Sequence, residues 1–308
     1  MSAAPTVSVL ACAPTLMVVV ERDPSGSVVE IHLHAGGQGF WASRMSARLG
    51  ATTHLVGPFA GEPGTSLRAL VEAEGLEVHA VPALSPNGVW VSDGAEGEAA
   101  SIAEVPVPRL SRHEADGLVS AMLAHGLRTR VSVLTGSPPG VLDGERYGRL
   151  AHDLHAVGGT VLADLSGDQL EHAVEGGVDV LKVAHDELAA LGLAEGDDEE
   201  ALLEGARELR RRGTGTVVVS RADEPLLAVT PDGELRVDVP EFRPANHRGA
   251  GDSMTGALAA RLAAGSPIEE ALRWAVAAGA LNVTRHGLGS GDTTAIAQLA
   301  EGVRVSRA

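Results

Sequence analysis

The 308-residue sequence predicts an α/β fold: a doubly wound, mostly parallel sheet flanked by helices, with a small β-sheet lid. Three observations predict it. Short, apolar, often β-branched runs alternate with helical segments over most of the chain, the pattern of a parallel sheet covered on both faces. Two further regions read as strands with no helix between them, which sets a small sheet apart from the main one. Two glycine-rich helix entrances then mark two sides of one cleft, at the strand edge where doubly wound folds bind ligands.

Main-sheet strands are predicted at Val7 to Ala11, Thr53 to Val56, Val131 to Thr135, Thr160 to Asp164, Val178 to Val183 and Thr216 to Ser220. Helices are predicted at Phe40 to Leu49, Thr65 to Glu74, Arg112 to His125 and Asp198 to Arg212. After Gly249 the chain turns helix-rich, with Asp252 to Ala264, Pro267 to Arg285 and Thr294 to Glu301. One domain spanning 1–308 is expected, with lid strands inserted at about 16–34 and 88–104. Turns at Asp23-Pro24-Ser25-Gly26 and Ser92-Asp93-Gly94 punctuate the lid, and Val29, Ile31 and Leu33 alternate with Glu30, His32 and His34. That period of two gives one apolar and one polar face.

Composition narrows the function. A net charge of -17 argues against a nucleic-acid or anionic-membrane partner. Arg210-Arg211-Arg212 ends a helix, where cations suit the dipole. Aromatics are only 2% of residues, so Ala, Val and Leu must fill the core and each Trp matters. The single Cys12 excludes an internal disulfide and reads as a small buried residue of the first strand. No leader-like basic and apolar segment and no membrane-length apolar run is seen, so a cytoplasmic location is expected. His32 and His34 share a strand face, read as a solvated lid face ahead of a metal site, and the remaining histidines show no metal-ligand spacing.

The most informative stretch is His247-Arg248-Gly249-Ala250-Gly251-Asp252-Ser253-Met254-Thr255-Gly256. Two glycines around an alanine, then an acid, describe a tight turn feeding a helix. The first amides of that helix have no intrahelical partner and point at whatever lies beyond its N-terminus, where the dipole favours an anion. An anion held there would sit beside the Asp252 carboxylate. A phosphate receptor touching a general base suits phosphoryl transfer to a hydroxyl. A plain glycine-rich turn with an acidic N-cap is the competing reading of these residues alone. A dinucleotide fingerprint is disfavoured because the glycine after Gly251 is Gly256, one position late, and a Walker loop is excluded because the only lysine, Lys182, follows Leu181. The second entrance is Gly36-Gly37-Gln38-Gly39-Phe40-Trp41, ahead of a helix ending at Leu49-Gly50.

This pair of regions resembles the two signatures of the ribokinase and phosphofructokinase-B (PfkB) carbohydrate kinase family. Gly36 to Ala51 is similar to the first and Pro244 to Leu258 to the second. Thr135-Gly136-Ser137-Pro138-Pro139-Gly140, Asp164-Leu165-Ser166-Gly167 and Leu181-Lys182 through Asp186-Glu187-Leu188 resemble segments of the 1-phosphofructokinase and tagatose-6-phosphate kinase branch. The resemblance implies a ribokinase-like fold and ATP-dependent phosphorylation of a hydroxyl on a small sugar, sugar derivative or nucleoside. It implies Asp252 as base and an anion hole of Gly249, Ala250 and Gly251. It places Lys182, Glu187, Ser220, Arg221, Ala222 and Val276 on the nucleotide side, with Glu187 organising Mg2+ through water. Gly36, Gly37, Gln38, Met17, Trp41, Trp90 and Arg248 fall to the acceptor side. A homodimer built through the lid is also expected.

Departures from the family pattern bear on the acceptor. Met17 stands where the family has a sugar-gripping acid, Gln38 replaces a lysine, Trp41 replaces an asparagine, and Asn87-Gly88 replaces a Thr-Arg pair. A buried sugar phosphate would find its charge poorly paired there, at a cost of several kcal/mol. Fructose 1-phosphate and tagatose 6-phosphate are therefore not expected acceptors, whereas an alcohol able to stack on Trp41 and Trp90 is. Ala184, Ala222 and Pro225 likewise replace polar or glycine positions on the nucleotide side. A non-catalytic ligand-binding or regulatory protein on the same scaffold is the rival reading.

Overall fold

The computed structural model describes residues 4–23, 25–93, 100–240, 249–283 and 291–308. The chain enters through β1 (Thr6–Leu10) and passes at once into β2 (Thr15–Arg22) and β3 (Val28–Gly36). It returns through α1 (Gln38–Arg48), β4 (Thr52–Pro58), α2 (Gly61–Ala73) and β5 (Glu77–Val81). The strands β6 (Gly88–Asp93) and β7 (Ala100–Val105) leave the main body again, before α3 (Arg112–Gly126) and β8 (Val131–Thr135) bring it back. Alternation then follows: α4 (Gly144–Ala156), β9 (Thr160–Asp164), α5 (Gly167–Gly176), β10 (Val180–Ala184), α6 (His185–Ala190), α7 (Glu199–Arg211) and β11 (Thr216–Arg221). An antiparallel pair, β12 (Glu224–Thr230) and β13 (Gly233–Val237), precedes α8 (Ala250–Ala263), α9 (Ile268–Asn282), α10 (Thr293–Gly302) and β14 (Val305–Arg307).

The main sheet runs β14-β13-β12-β11-β10-β9-β8-β1-β4-β5, and β11 through β5 in that order are parallel. Chain order reverses between β1 and β8, so the crevice beyond the carboxyl ends of these two strands is the fold's ligand position. A second sheet, β3-β2-β6-β7, forms the predicted lid. Its strand β2 starts four residues after β1 ends, so the lid springs from that same strand edge.

Short side chains decide the packing. The core on one face is built from Val9, Leu162, Val218, Leu258, Ala259, Ala263, Ala275 and similar residues; on the other face Leu118, Met122, Tyr147 and Leu154 fill it. Helices α8 and α1 pack closely because Gly256 has no side chain: a Cβ there would strike the carbonyl oxygen of Ala42. At Gly39 a Cβ would come within 2.6 Å of the Ala11 Cβ, so α1 also lies tight on the end of β1. These two approaches bring the glycine-rich entrances of α1 and α8 to one place.

Most predicted elements appear within a few residues of their expected bounds, and four points differ. Helix α2 starts at Gly61, ahead of Thr65, since Pro63 is tolerated within a first turn. The last long helix ends at Asn282, and the expected Arg285 lies outside the described residues, as do Pro24 and Gly94 of the predicted lid turns. Helices α4, α5 and α6 and strands β5, β12, β13 and β14 fall outside the predicted elements; α4 carries two glycines, Gly144 and Gly148, which weaken its helical propensity. Cys12 is buried as expected but lies two residues past β1, its thiol 3.3 Å from the Tyr147 hydroxyl and its pKa pushed up to about 12 by burial.

The lid is clipped to the body by Asn87. Its Oδ1 accepts from the Ala60 amide at 2.7 Å, and its Nδ2 donates to the carbonyls of Pro58 and Pro14 at 2.9 and 3.0 Å. This buried residue joins three loops, which accounts for an asparagine at that position. Asn87→Ala strands one donor and two acceptors, and unfolding in urea should show a loss of about 2–4 kcal/mol.

Candidate active site

Gly249 caps α8 in the left-handed conformation, φ 75°, with no side chain bonded to the helix's first amides. A non-glycine residue would be strained there. The amides of Ala250, Gly251 and Asp252 therefore face outward at the positive end of a fourteen-residue helix. Ser253 turns its hydroxyl back to the Gly249 carbonyl at 2.8 Å, so it competes for none of them.

Asp252 sits in the first turn of α8 and is buried. Burial is the main reason its pKa rises to about 7, the Asp164 carboxylate raises it further, and Lys182 opposes both. Asp164 ends β9 and is itself buried; Lys182 Nζ meets its Oδ1 at 3.1 Å and the Thr255 hydroxyl donates to its Oδ2 at 2.6 Å. Burial works against the Lys182 charge, yet Asp164 and then Asp252 hold its pKa above the ordinary value. Two carboxylates thus share one ammonium, and the carboxylate with no direct ion pair, Asp252, carries the upward shift.

Gly251 makes this cluster possible. A Cβ at that residue would stand 2.9 Å from Lys182 Nζ, so the ammonium lies directly against the α8 N-terminus. Lys182, expected on the nucleotide side, accordingly packs beside Asp164 and the α8 N-terminus and does not line the cavity that holds most of the other residues expected there.

That cavity, about 500 Å³, gathers the other expected residues: Ser220, Arg221 and Ala222 on one wall, Val276 and Ala250 on another. Leu226, Val239, Met254, Ala280 and Val283 make the remainder mostly apolar. Such a pocket suits a flat heteroaromatic group; its polar residues lie on the β11–β12 side, and α8 contributes Ala250 and Met254. The Arg221 guanidinium is committed elsewhere, to Glu199 at 3.0 Å and the Asp197 carbonyl at 2.9 Å. Glu187 lies apart, beside Ser166, Gly167 and Asp186; its Oε2 accepts from the Ala184 amide at 2.8 Å, and burial raises its pKa.

On the acceptor side, Gly37, Gln38, Ala11 to Pro14, Thr135 and Gly136 enclose about 10 Å³ at the β1–β8 reversal, room for roughly one water. Gly37 has φ 108°, and a Cβ there would stand 2.7 Å from the Ala13 carbonyl oxygen. A Cβ at Gly36 would meet Met17 Sδ at 2.5 Å, so the Met17 side chain covers this turn. Met17 pairs with Trp90 on one side and His34 on the other, which puts all three on one lid face. Trp41 is half-buried and packs against the cluster that holds Phe40, Leu16 and Leu55, so part of its ring remains open. His247 and Arg248 lie outside the described residues.

Comparison with known proteins decides the family. The pfkB family carbohydrate kinase model matches residues 11–295. This chain belongs to the pfkB family of carbohydrate kinases. The kinase is 30% identical to ATP-dependent 6-phosphofructokinase isozyme 2 of Escherichia coli over 257 residues, 82% of each chain. It is 32% identical to the 1-phosphofructokinase of Bacillus subtilis over 178 residues, 58% of each. The crystal structure of Escherichia coli phosphofructokinase-2 in complex with potassium superposes with a TM-score of 0.84 at 25% identity, covering 97% of this chain and 99% of that one.

Two residues of the kinase's central cluster escaped the sequence reading as site residues: Asp164 and Thr255. The signal was present, since an acid closing a β-branched apolar strand seldom stays buried without a task. Its partner was not visible, because Lys182 is eighteen residues away on the neighbouring strand.

Ala222 opens the two-residue turn between β11 and β12 with φ 51°, a position where such turns favour glycine. Ala222→Gly should relieve the left-handed strain and stabilise the fold by about 0.5–1 kcal/mol, read as a shift in the urea midpoint at unchanged slope.

Proposed function

We propose that this kinase transfers the terminal phosphoryl group of ATP to a hydroxyl of a small sugar-like acceptor, with Asp252 as the general base. The carrying observation is a buried carboxylate with a pKa near 7 at an uncapped helix N-terminus. Asp252 takes the proton as the hydroxyl attacks. Charge on the transferred group faces the amides around Gly249, Ala250 and Gly251, whose dipoles are fixed beforehand and need no reorganisation. Lys182, pinned by Asp164, keeps a positive charge beneath the same helix end.

The base of ATP fits the apolar cavity between the Ala222 turn and Val276 on α9. Glu187 suits a magnesium ion held through water: it is a half-buried carboxylate that would gain from a nearby cation. When bound, magnesium supplies neutralisation of the nucleotide phosphates. Met17 and Gln38 at the acceptor turn favour a neutral sugar, sugar derivative or nucleoside over a phosphosugar. The relatives named phosphofructokinases make fructose phosphates the comparison that matters.

An ADP-release screen over sugars, sugar phosphates and nucleosides tests both statements. Asp252→Asn should lose on the order of 10²-fold or more in kcat. Wild-type kcat/KM should climb through a limb near pH 7 and then level, because only the ionised carboxylate accepts the proton. The same shift costs stability: the folded-state pKa lies above the ordinary 3.8, so stability falls as pH rises between them. Asp252→Asn should therefore be more stable than wild type by about 1–3 kcal/mol at about pH 8, while being far less active. Equal turnover in both proteins would remove Asp252 as the base, and strong activity on fructose 1-phosphate would overturn only the acceptor assignment.

We further propose a homodimer through the lid. Leu33 and Ile31 share an apolar face with Val18, Val20 and Val91, and Ile31 is 61% exposed. Val29 and Val105 extend the exposed apolar surface. Burying it against a second copy is the economical way to remove it from water. Ile31→Lys should convert a sedimenting dimer to monomer; a wild-type protein that sediments as a monomer at all concentrations refutes the assignment.

A further inference from the structure

Three histidines that look unrelated in sequence meet in space. His54 is the third residue of β4, His79 the third of the neighbouring β5, and His125 lies in the last turn of α3, which packs over both strands. No metal-ligand spacing links them along the sequence, and the fold brings them together. His54 Nδ1 and His79 Nε2 are 3.0 Å apart, and one ring nitrogen from each of the three residues lies within 4.8 Å of the others. The His79 and His125 rings stack with centroids 3.5 Å apart, and His54 stands 5.2 and 5.9 Å from them. All three are half-buried.

We propose that His54, His79 and His125 bind one divalent transition-metal ion, of which zinc is the natural probe. Neutral imidazole is a preferred ligand for such ions, and three of them make a common donor set. Tetrahedral zinc with bonds of about 2.0–2.1 Å needs nitrogens about 3.3 Å apart, close to the separation already present between His54 and His79. A metal would take the place of the proton those two nitrogens now share. Glu77 Oε2, 3.2 Å from His54 Nδ1, supplies a carboxylate for the remaining position or for a bound water. Burial, then the neighbouring imidazoles, lowers the pKa of His79 and His125, Glu77 works the other way, and Arg128 adds to the lowering. Burial thus favours the neutral form of the His79 and His125 rings, the form that binds metal.

The location separates this site from catalysis. His54 is the third of seven residues of β4 and His79 the middle residue of β5, so both stand within their strands, whereas the reversal crevice lies beyond the carboxyl ends of β1 and β8. Bound metal would tie the edge strand β5 and its neighbour β4 to the end of α3. Its role is to brace that edge, and phosphoryl transfer does not pass through it.

Calorimetric titration of chelator-stripped protein with zinc sulfate, in the absence of nucleotide, tests the site. One saturable zinc per chain is expected. His54→Gln, His79→Gln and His125→Gln should each weaken it at least about tenfold, the lower end of what losing even an outer partner of a metal costs. His32→Gln, in the exposed lid group with Glu21 and Glu30, should leave the affinity unchanged. No saturable zinc, or an affinity that survives the three substitutions in a folded protein, overturns the proposal. X-ray absorption on zinc-loaded wild type needs no variant: a shell with three imidazole nitrogens supports the site, and fewer than three refutes it.

Discussion

The site depends on one buried charge arrangement. Lys182, the only lysine in the chain, sits between Asp164 and the N-terminal turn of α8. Removing an ammonium and two carboxylates from water is expensive, and one ion pair offsets only part of that. Thr255 and Lys182 satisfy Asp164 directly, which leaves Asp252 as the group that cannot comfortably ionise. The cost that burial imposes on this cluster is thereby concentrated on Asp252, the carboxylate proposed as the base. Its elevated pKa follows first from burial and then from the Asp164 carboxylate, which the single lysine of the chain only partly opposes.

Holding that arrangement requires backbones closer than ordinary side chains allow. Gly251 admits the ammonium, Gly256 admits α1 against α8, and Gly39 admits α1 against the end of β1. With so few aromatics, the core relies on alanine, valine and leucine surfaces that interdigitate at short range. Close helix packing and the scarcity of large side chains are one design. The same closeness leaves only about 10 Å³ beside the Gly37 turn, and Met17 covers the neighbouring Gly36.

Charge and apolar surface are distributed unevenly across the rest of the molecule. Among the described residues no helix is long and apolar enough to cross a membrane. The exposed apolar surface instead concentrates on the lid, and the histidines gather at the far edge of the main sheet. Neither feature touches the α8 cluster. The α8 cluster, the exposed apolar surface and the histidine cluster thus occupy separate places on the main sheet and the lid.

The sequence by itself determined the α/β alternation, the separate lid and the family, because hydrophobic period and glycine-bracketed turns are local properties. Gly249 to Asp252 could be read as an anion site beside a base for the same reason: a helix N-terminus is a local structure. Only tertiary structure brought Lys182 to Asp164, laid Trp41 against a core cluster, turned Arg221 toward Glu199, and joined His54, His79 and His125. Strand order decides such meetings, and strand order is set by burial summed over the whole sheet. A residue's own neighbours in sequence carry no record of it.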